Sequence, residues 1–403
     1  MATVRSQTKP QSAAPATPQA VIPFTRASRE KSFLAFDTST VTLSAAATTQ
    51  IAPIQLPAAG FLKFVEIVVT GTTASNAATV TFAADAPFNI LNYVSLTNSA
   101  GDTIITPMTG YQLFLINKYG AIGAEPPYAD PRGDVLFSMT AGAVATGGSF
   151  VFQLRIPLEI DPRDAYGAVP NLASNKAYNL QFIANGTNSI YGTAPTTPPT
   201  LRIVGTSYFW SQPFAQTPFG TGQATAPDSD GSVSMWRLQT AAVTSGDRYV
   251  TLTNVGNVIR MWIFVLRNSS GARITTSSDW PAISQLVLNN DVLLHLPLTN
   301  WQNDVAQSYG YVFTTTLDAG YPGSATFGNP RGLDNGVFPL FHFFDQRGNV
   351  KVDSARDQLL PTLDATLVQF HASTFTSNAN TLEIISNEIK PVSASSLYSL
   401  NLV

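Results

Sequence analysis

Phe36-Asp37-Thr38-Ser39 has the Asp-Thr-Ser order of an aspartic-protease loop. That chemistry needs two carboxylates that share one proton, one from each lobe. The second half offers Asp228-Ser229-Asp230-Gly231 and Asp318-Ala319-Gly320, neither on a strand equivalent to that of Asp37. Asp37 is therefore read as a turn residue. Arg132-Gly133-Asp134 is a formal integrin tripeptide, but Pro-Arg-Gly recurs at 330–332, which marks a repeated structural turn. His295, His342 and His371 fall in separate strand regions, without the closely spaced pair of a zinc site. The chain has no cysteine, so disulfides, thiolate metal sites and Cys nucleophiles are excluded. There is no Gly-rich phosphate loop and no Gly-x-Ser-x-Gly elbow. No enzyme activity, metal or cofactor is expected.

Composition narrows the class further. Of 403 residues, 44% are hydrophobic, enough to bury a core. Only 12% are charged, against about 25% in ordinary soluble domains. The net charge of −3 gives no basic excess for general nucleic-acid binding. A surface built from Thr, Ser, Asn, Gln and Ala suits a protein whose faces meet other proteins. The N-terminus lacks the apolar segment of a secretory signal, so Asn185-Gly186-Thr187 and Asn268-Ser269-Ser270 read as loop residues rather than glycan acceptors. Val135–Leu154 is uncharged but holds Gly142, Gly147 and Gly148, and reads as two strands and a turn rather than a membrane span.

These residues are positioned by strands. From Phe150 to Ile160, Phe150, Phe152, Leu154, Ile156, Leu158 and Ile160 alternate with polar residues, the period of a strand with one buried face. Pro157 places its far end at an edge or bulge. Further strands are expected at Phe61–Thr70, Thr79–Ala83, Ala177–Ile183, Leu201–Phe209, Tyr249–Leu252, Val258–Leu266, Val337–Phe344, Thr366–Ala372 and Thr381–Ile385. Short helices are expected at Tyr111–Lys118 and Trp301–Tyr309. Residues 1–31 read as a Pro-rich arm whose charges, Arg5, Lys9, Arg26, Arg29 and Lys31 against Glu30 alone, suit an anionic surface or a neighbouring subunit.

The chain also resembles itself at an offset near 190. Ser95-Leu96-Thr97-Asn98 and Thr106-Pro107-Met108-Thr109-Gly110-Tyr111, ending at Tyr119-Gly120, recur as Val287-Leu288-Asn289-Asn290 and Leu296-Pro297-Leu298-Thr299-Asn300-Trp301, ending at Tyr309-Gly310. In each copy a strand pair stops at a proline, a threonine caps a helix and a glycine closes it. Gly60-Phe61-Leu62-Lys63 is matched by Gly256-Asn257-Val258-Ile259-Arg260, and Pro170-Asn171-Leu172 by Pro361-Thr362-Leu363. Leu180-Gln181-Phe182-Ile183-Ala184 is matched by Val368-Gln369-Phe370-His371-Ala372. Asp161, Arg163 and Asp164 echo Asp353, Arg356 and Asp357, candidate ion pairs at loop ends. The expected architecture is all-β: an arm at 1–31, a first eight-stranded jelly roll at 32–210, a Pro/Gly/Ser/Thr-rich linker at 211–232 and a second jelly roll at 233–403.

Gly60-Phe61-Leu62-Lys63-Phe64-Val65, Phe88-Asn89-Ile90-Leu91-Asn92-Tyr93 and Leu154-Arg155-Ile156-Pro157-Leu158 carry a family resemblance. So do the stretches from Asp164 to Asn171, from Tyr178 to Asn185 and from Gly336 to Phe341. In order and spacing the chain resembles the double jelly-roll major capsid proteins of tailless, membrane-containing, tectivirus-like bacteriophages. The resemblance implies a homotrimer that forms a pseudo-hexagonal tile, with upright strands, in an icosahedral virion shell. It implies contacts with neighbouring trimers, minor capsid proteins and vertex proteins, and synthesis in the host cytoplasm. It places the N-terminal segment, with Arg5, Lys9, Arg26, Arg29 and Lys31, at the inner face near the viral membrane, and implies no specific nucleic-acid contact. The other reading of the composition is a β-sandwich adhesin or carbohydrate-binding protein.

Overall fold

The computed structural model describes residues 21–391, apart from 74–78, 99, 121–128, 163–164, 173, 175–177, 215, 218–219, 223–231, 254–255, 310–333, 335 and 342–358. The first half contributes β1 (Glu30–Asp37), β2 (Gly60–Thr72), β3 (Leu91–Thr97), β4 (Thr103–Met108), helix α1 (Gly110–Tyr119), β5 (Phe150–Pro157), β6 (Asn179–Ala184) and β7 (Thr200–Trp210). One sheet runs β1-β7-β2-β5; the facing one runs β6-β3-β4, with Thr49–Gln50 and Ile54–Gln55 paired to the outer side of β6. Counting those two short pieces as one broken strand, this is an eight-stranded jelly roll.

The second half supplies β8 (Ser232–Ala242), β9 (Gly246–Thr251), β10 (Val258–Arg267), β11 (Ile283–Leu288), β12 (Asp291–Pro297), helix α2 (Leu298–Tyr309), β13 (Val337–Phe341), β14 (Val368–Phe375) and β15 (Thr381–Pro391). Its sheets run β8-β15-β10-β13 and β9-β14-β11-β12. Strand for strand, this is the order of the first half.

The internal repeat is visible in the pairing register. Leu180 to Ile183 lie opposite Leu96, Ser95, Val94 and Tyr93. Val368 to His371 lie opposite Leu288, Val287, Leu286 and Gln285, as the sequence match requires. Each roll also has the same bulge. The register between β2 and β7 skips Lys63, and that between β10 and β15 skips Arg260. A bulge leaves one residue unpaired and re-aims it. Here both re-aimed residues are cations, and both are buried.

Two details differ from the sequence reading. Ala59 and Gly256 donate to the equivalent carbonyls of Asn171 and Thr362, so Gly256 corresponds to Ala59 rather than Gly60. Thr109 caps α1 as expected, exchanging hydrogen bonds with Gln112 in a capping box. The second helix starts at Leu298, so Thr299 lies inside its first turn instead of capping it. Gly120 closes α1, with its N–H on the Ile116 carbonyl, while Gly310 lies outside the described residues.

Alternation explains the first sheet. Phe150, Phe152, Leu154 and Ile156 are buried between half-buried neighbours, and the strand ends at Pro157. Gly71 and Gly205 sit directly opposite Phe150 and Phe36, where a Cβ would fall 2.3 Å and 2.1 Å from the rings. The aromatic ring takes the space above each glycine. Residues 21–31 do not hang free. Val21–Ile22 pairs with Thr221 and Gly222, and a one-turn helix, Phe24–Ala27, buries Phe24 against Phe61 and Trp210.

Candidate functional site

The two rolls meet at α1. Its first-roll neighbours are β3, β5 and a 3-10 turn at Phe88–Ile90, and every residue of the helix is buried. Part of that burial comes from the second roll. Lys118 Nζ lies 2.9 Å from Asp130 and 2.7 Å from Asp334, which comes from the far half of the chain. Arg132 is held by both oxygens of Asp130 and lies 3.0 Å from the other oxygen of Asp334. Tyr119 donates its hydroxyl to Asp334 at 2.8 Å and accepts the Asp334 N–H at 2.9 Å. The four charged side chains are between 0 and 6% exposed.

A second ionic group lies along the same seam. Arg267 reaches Asp85 at 2.8 Å and Glu383 at 2.7 Å, and Arg273 reaches Asp85 at 3.2 Å. Both guanidinium groups lie over the ring of Tyr111. Arg260, the bulged cation of the second roll, donates to the carbonyl of Gly120 at the end of α1 at 2.9 Å. Each group pairs two cations with two carboxylates, so little net charge is buried. Burial pushes the Asp334 carboxyl up, but Arg132, Lys118 and Arg273 outweigh it and hold the group well below the usual carboxylate range.

The seam also joins backbones. Strand β8 of the second roll lies parallel to β4 of the first, with Trp236 opposite Ile105. Thr106 Oγ1 accepts the Leu238 N–H at 2.8 Å and donates to the Trp236 carbonyl at 3.3 Å. The sheets β6-β3-β4 and β8-β15-β10-β13 thereby become one continuous sheet across both rolls.

Lys63, the matching bulged cation, serves the opposite end of the first roll. It pairs with Glu30 at the start of β1 and lies 3.4 Å from Glu159 and 4.3 Å from the Trp210 ring centre. Trp210 Nε1 donates to Glu159 at 2.6 Å. Burial pushes the Glu159 carboxyl up to about 7, against the lowering effects of Trp210 and Lys63. This cluster fixes the root of the N-terminal segment next to Phe24.

The residues singled out in the sequence fall as follows. Arg26, Arg29 and Lys31 are exposed on the segment that crosses this end of the roll, with Arg29 over the Phe214 ring; Arg5 and Lys9 lie outside the described residues. Asp37 ends β1 and pairs with Arg202 at 2.8 Å, while Thr38 Oγ1 accepts the Ile203 N–H. Asp228, Asp230 and Asp318 are outside the described residues. Arg132 of the Arg-Gly-Asp stretch is turned inward into the seam. Asn185 Nδ2 donates to the distant Asn89 carbonyl, while Asn268 Oδ1 accepts the N–H groups of Ser270 and Ala272 in its own turn. His371 lies between Asp247 at 2.6 Å and Gln285 at 2.9 Å, His295 is exposed on β12, and His342 is outside the described residues. Of the loop-end charges, Asp161 bridges to Tyr166; Arg163, Asp164, Asp353, Arg356 and Asp357 are outside the described residues. Among the described residues no helix is long and apolar enough to cross a membrane.

No family model matches the sequence, and no curated protein sequence matches it. Solved structures do match. A chain in the atomic structure of Sulfolobus Turreted Icosahedral Virus aligns at a TM-score of 0.58 and 13% identity, covering 93% of this chain and 95% of that one. A chain of the PBCV-1 virus capsid aligns at 0.55 and 11%, covering 90% and 93%. The Faustovirus major capsid protein aligns at 0.51 and 9%, covering 96% and 92%. What is shared at these identities is the fold: this chain is a double jelly roll, related in architecture to these viral coat structures over nearly its whole length.

Asp334→Ala leaves Lys118 and Arg132 buried without their shared carboxylate, so urea unfolding should show a loss of about 3–5 kcal/mol. Arg202→Ala, which breaks only the exposed pair with Asp37, should leave the midpoint nearly unchanged. Glu159 ionises at about 7 when folded, against an ordinary value of 4.5. The folded state therefore holds the extra proton between those values, and stability falls as pH rises through that window. Melting temperatures at about pH 5 and about pH 8 should differ more for the native chain than for Glu159→Gln. An equal drop in both would reject the assignment.

Proposed function

We propose that this chain is the major coat subunit of an icosahedral virus particle with an internal membrane. Its work is assembly rather than catalysis. The observation that supports this most is the tandem of two jelly rolls with identical strand order, packed side by side, in a fold shared end to end with viral capsid chains. The adhesin alternative has no comparable support. In this reading three copies, with two rolls each, form a near-hexagonal tile in the virion shell, and the Ala/Thr/Ser-rich flanks are consumed between copies. Obligate interfaces of this kind bury more than about 2,000 Å². Minor capsid and vertex proteins would meet the finished tiles. The expected mass by light scattering is three times 43.0 kDa, about 129 kDa; a single species at 43.0 kDa rejects the coat reading.

The N-terminal segment would face the membrane, with Arg5, Lys9, Arg26, Arg29 and Lys31 meeting anionic headgroups at about 1 kcal/mol each near such a surface. Phe24 belongs to the folded body, so a truncation that tests this must stop at residue 20. The full chain should float with phosphatidylglycerol vesicles at low salt and lose them at high salt. The chain without residues 1–20 should float less. Equal flotation of the two would remove Arg5 and Lys9 from the contact.

A further inference from the structure

The joint inside the chain is made by two flanks, and the chain carries a second, uncovered copy of each. On the first roll the covered flank is β4 with α1, which is buried throughout. The corresponding flank of the second roll is β12 with α2. Among the described residues, strand β12 pairs with β11 alone and ends its sheet, and each of its residues is exposed or half-buried. Within the described side chains of α2 only Trp301 and Val305 are buried. The partner flank shows the same contrast. Ser234, Met235 and Trp236 of β8 are buried under the first roll. Strand β1, which holds the same place in the first roll, ends its sheet and exposes Phe33 at 43% and Leu34 at 67%.

Resting on the coat reading above, we infer that β1 of one copy lies parallel against β12 of the next, repeating between chains the β8–β4 joint found within the chain. The occupant of each open edge is thus a second copy of this same chain. Register follows from the bulges. Trp236 lies opposite Asn387, which pairs with Met261 just past the bulge at Arg260. Ser32 lies opposite Tyr208, which pairs with Phe64 just past the bulge at Lys63. Ser32 therefore stands where Trp236 stands, and Leu34 where Leu238 stands. On the other side, Leu96 and Leu288 hold the same place in the two rolls; Leu96 lies opposite Ile105 and Leu288 opposite Asp291, so Asp291 stands where Ile105 stands. Trp236 meets Ile105 inside the chain, so Ser32 meets Asp291 between chains.

The contact is heterologous: each copy offers a different flank to each neighbour. Such contacts either close into a ring or run on as an open filament. Here every roll-to-roll step, within or between chains, is taken as the same step, and on the coat reading six such steps, from three chains, close the ring.

The absence of cysteine makes the test clean. A Ser32→Cys/Asp291→Cys double variant of the full chain, mildly oxidised, places two thiols on facing parallel strands within disulfide reach. Covalent dimers and trimers, and nothing larger, are expected on non-reducing gels, with neither single variant cross-linking. Leu34→Lys, a charge on the open edge, should drop the light-scattering mass from about 129 kDa to 43.0 kDa with an unchanged β-sheet circular dichroism spectrum. A particle of about 129 kDa whose cysteine pair does not cross-link overturns the edge pairing while leaving the coat reading intact. A ladder running past three chains overturns the closed ring. A native chain that stays at 43.0 kDa removes the coat reading, and this inference with it.

Discussion

Asp334 sits between Lys118 and Arg132 with almost no water reaching any of the three, and the relation of the two rolls depends on that contact. Taking such charges out of water costs several kcal/mol per ion, and their mutual attraction recovers this only with good geometry and further hydrogen bonds. Both are present: Asp130 grips Arg132 with both oxygens, and Tyr119 both donates to Asp334 and accepts from it. A greasy seam of equal area would be at least as stable, but it would tolerate sliding. A carboxylate shared by a lysine from α1 and an arginine from the turn after it has one position that satisfies all three. The seam thus sets the angle and height at which the second roll meets the first, and the backbone joint at Trp236 and Ile105 needs that setting.

The scarcity of charge in the chain takes on meaning from this. With 12% of residues charged, a good part of the charge lies where rolls or strand ends must be fixed: Lys118, Arg132 and Asp334 at one group, Asp85, Arg267 and Arg273 at the next, Lys63 and Glu159 at the root of the N-terminal segment. Lys63 and Arg260 show how one device serves two ends. The same bulge turns a cation inward in each roll, toward Glu30 and Glu159 in one case and toward the Gly120 carbonyl in the other. Duplication of the roll preserved the bulge; the partners around it diverged with the surface each roll presents.

Much of the fold could be read from the sequence because each roll has one wet face. Strand β5 alternates, α1 has its capping threonine, and the match of Leu180–Ala184 to Val368–Ala372 predicts a register that the structure shows residue for residue. Strand β8 is illegible in the sequence because it is flanked by β15 on one side and β4 on the other, and Ser234, Met235 and Trp236 are all buried, which erases the period of two. The seam is illegible for a different reason. Its partners stand far apart in the chain, Lys118 with Asp334 and Asp85 with Arg267, and nothing local encodes such a pairing. A signal was present nonetheless: Lys118 ends an apolar helix, Arg260 interrupts the run from Val258 to Leu266, and Lys63 interrupts that from Phe61 to Val65. In a chain with so few charges, a cation inside an apolar run points to a buried partner. Residues 21–31 read as arm because Arg26, Arg29 and Lys31 dominate the stretch, and the anchor, Phe24, has no periodicity to announce it.

A chain with two similar rolls faces a risk that a chain with one does not, since the flank meant for its own second roll also fits that of a neighbour. The two joints are kept apart by chemistry. The internal flank is charged: Lys118 ends α1, and its demand for Asp334 is met only by the roll that carries Asp334 at the right height. The matching position on the outer flank is Ser308, and the exposed side chains of α2 include Thr299, Asn300, Asn303 and Gln307. An unpaired buried lysine is costly, so an exchange that places α1 against the wrong surface is penalised, while the outer flank, with no lysine or arginine on β12 or α2, accepts a partner without that condition. The internal joint forms with the fold because its ions have no other satisfactory arrangement. The outer joint, built from short polar side chains and an open strand edge, is left to form later, when finished subunits meet.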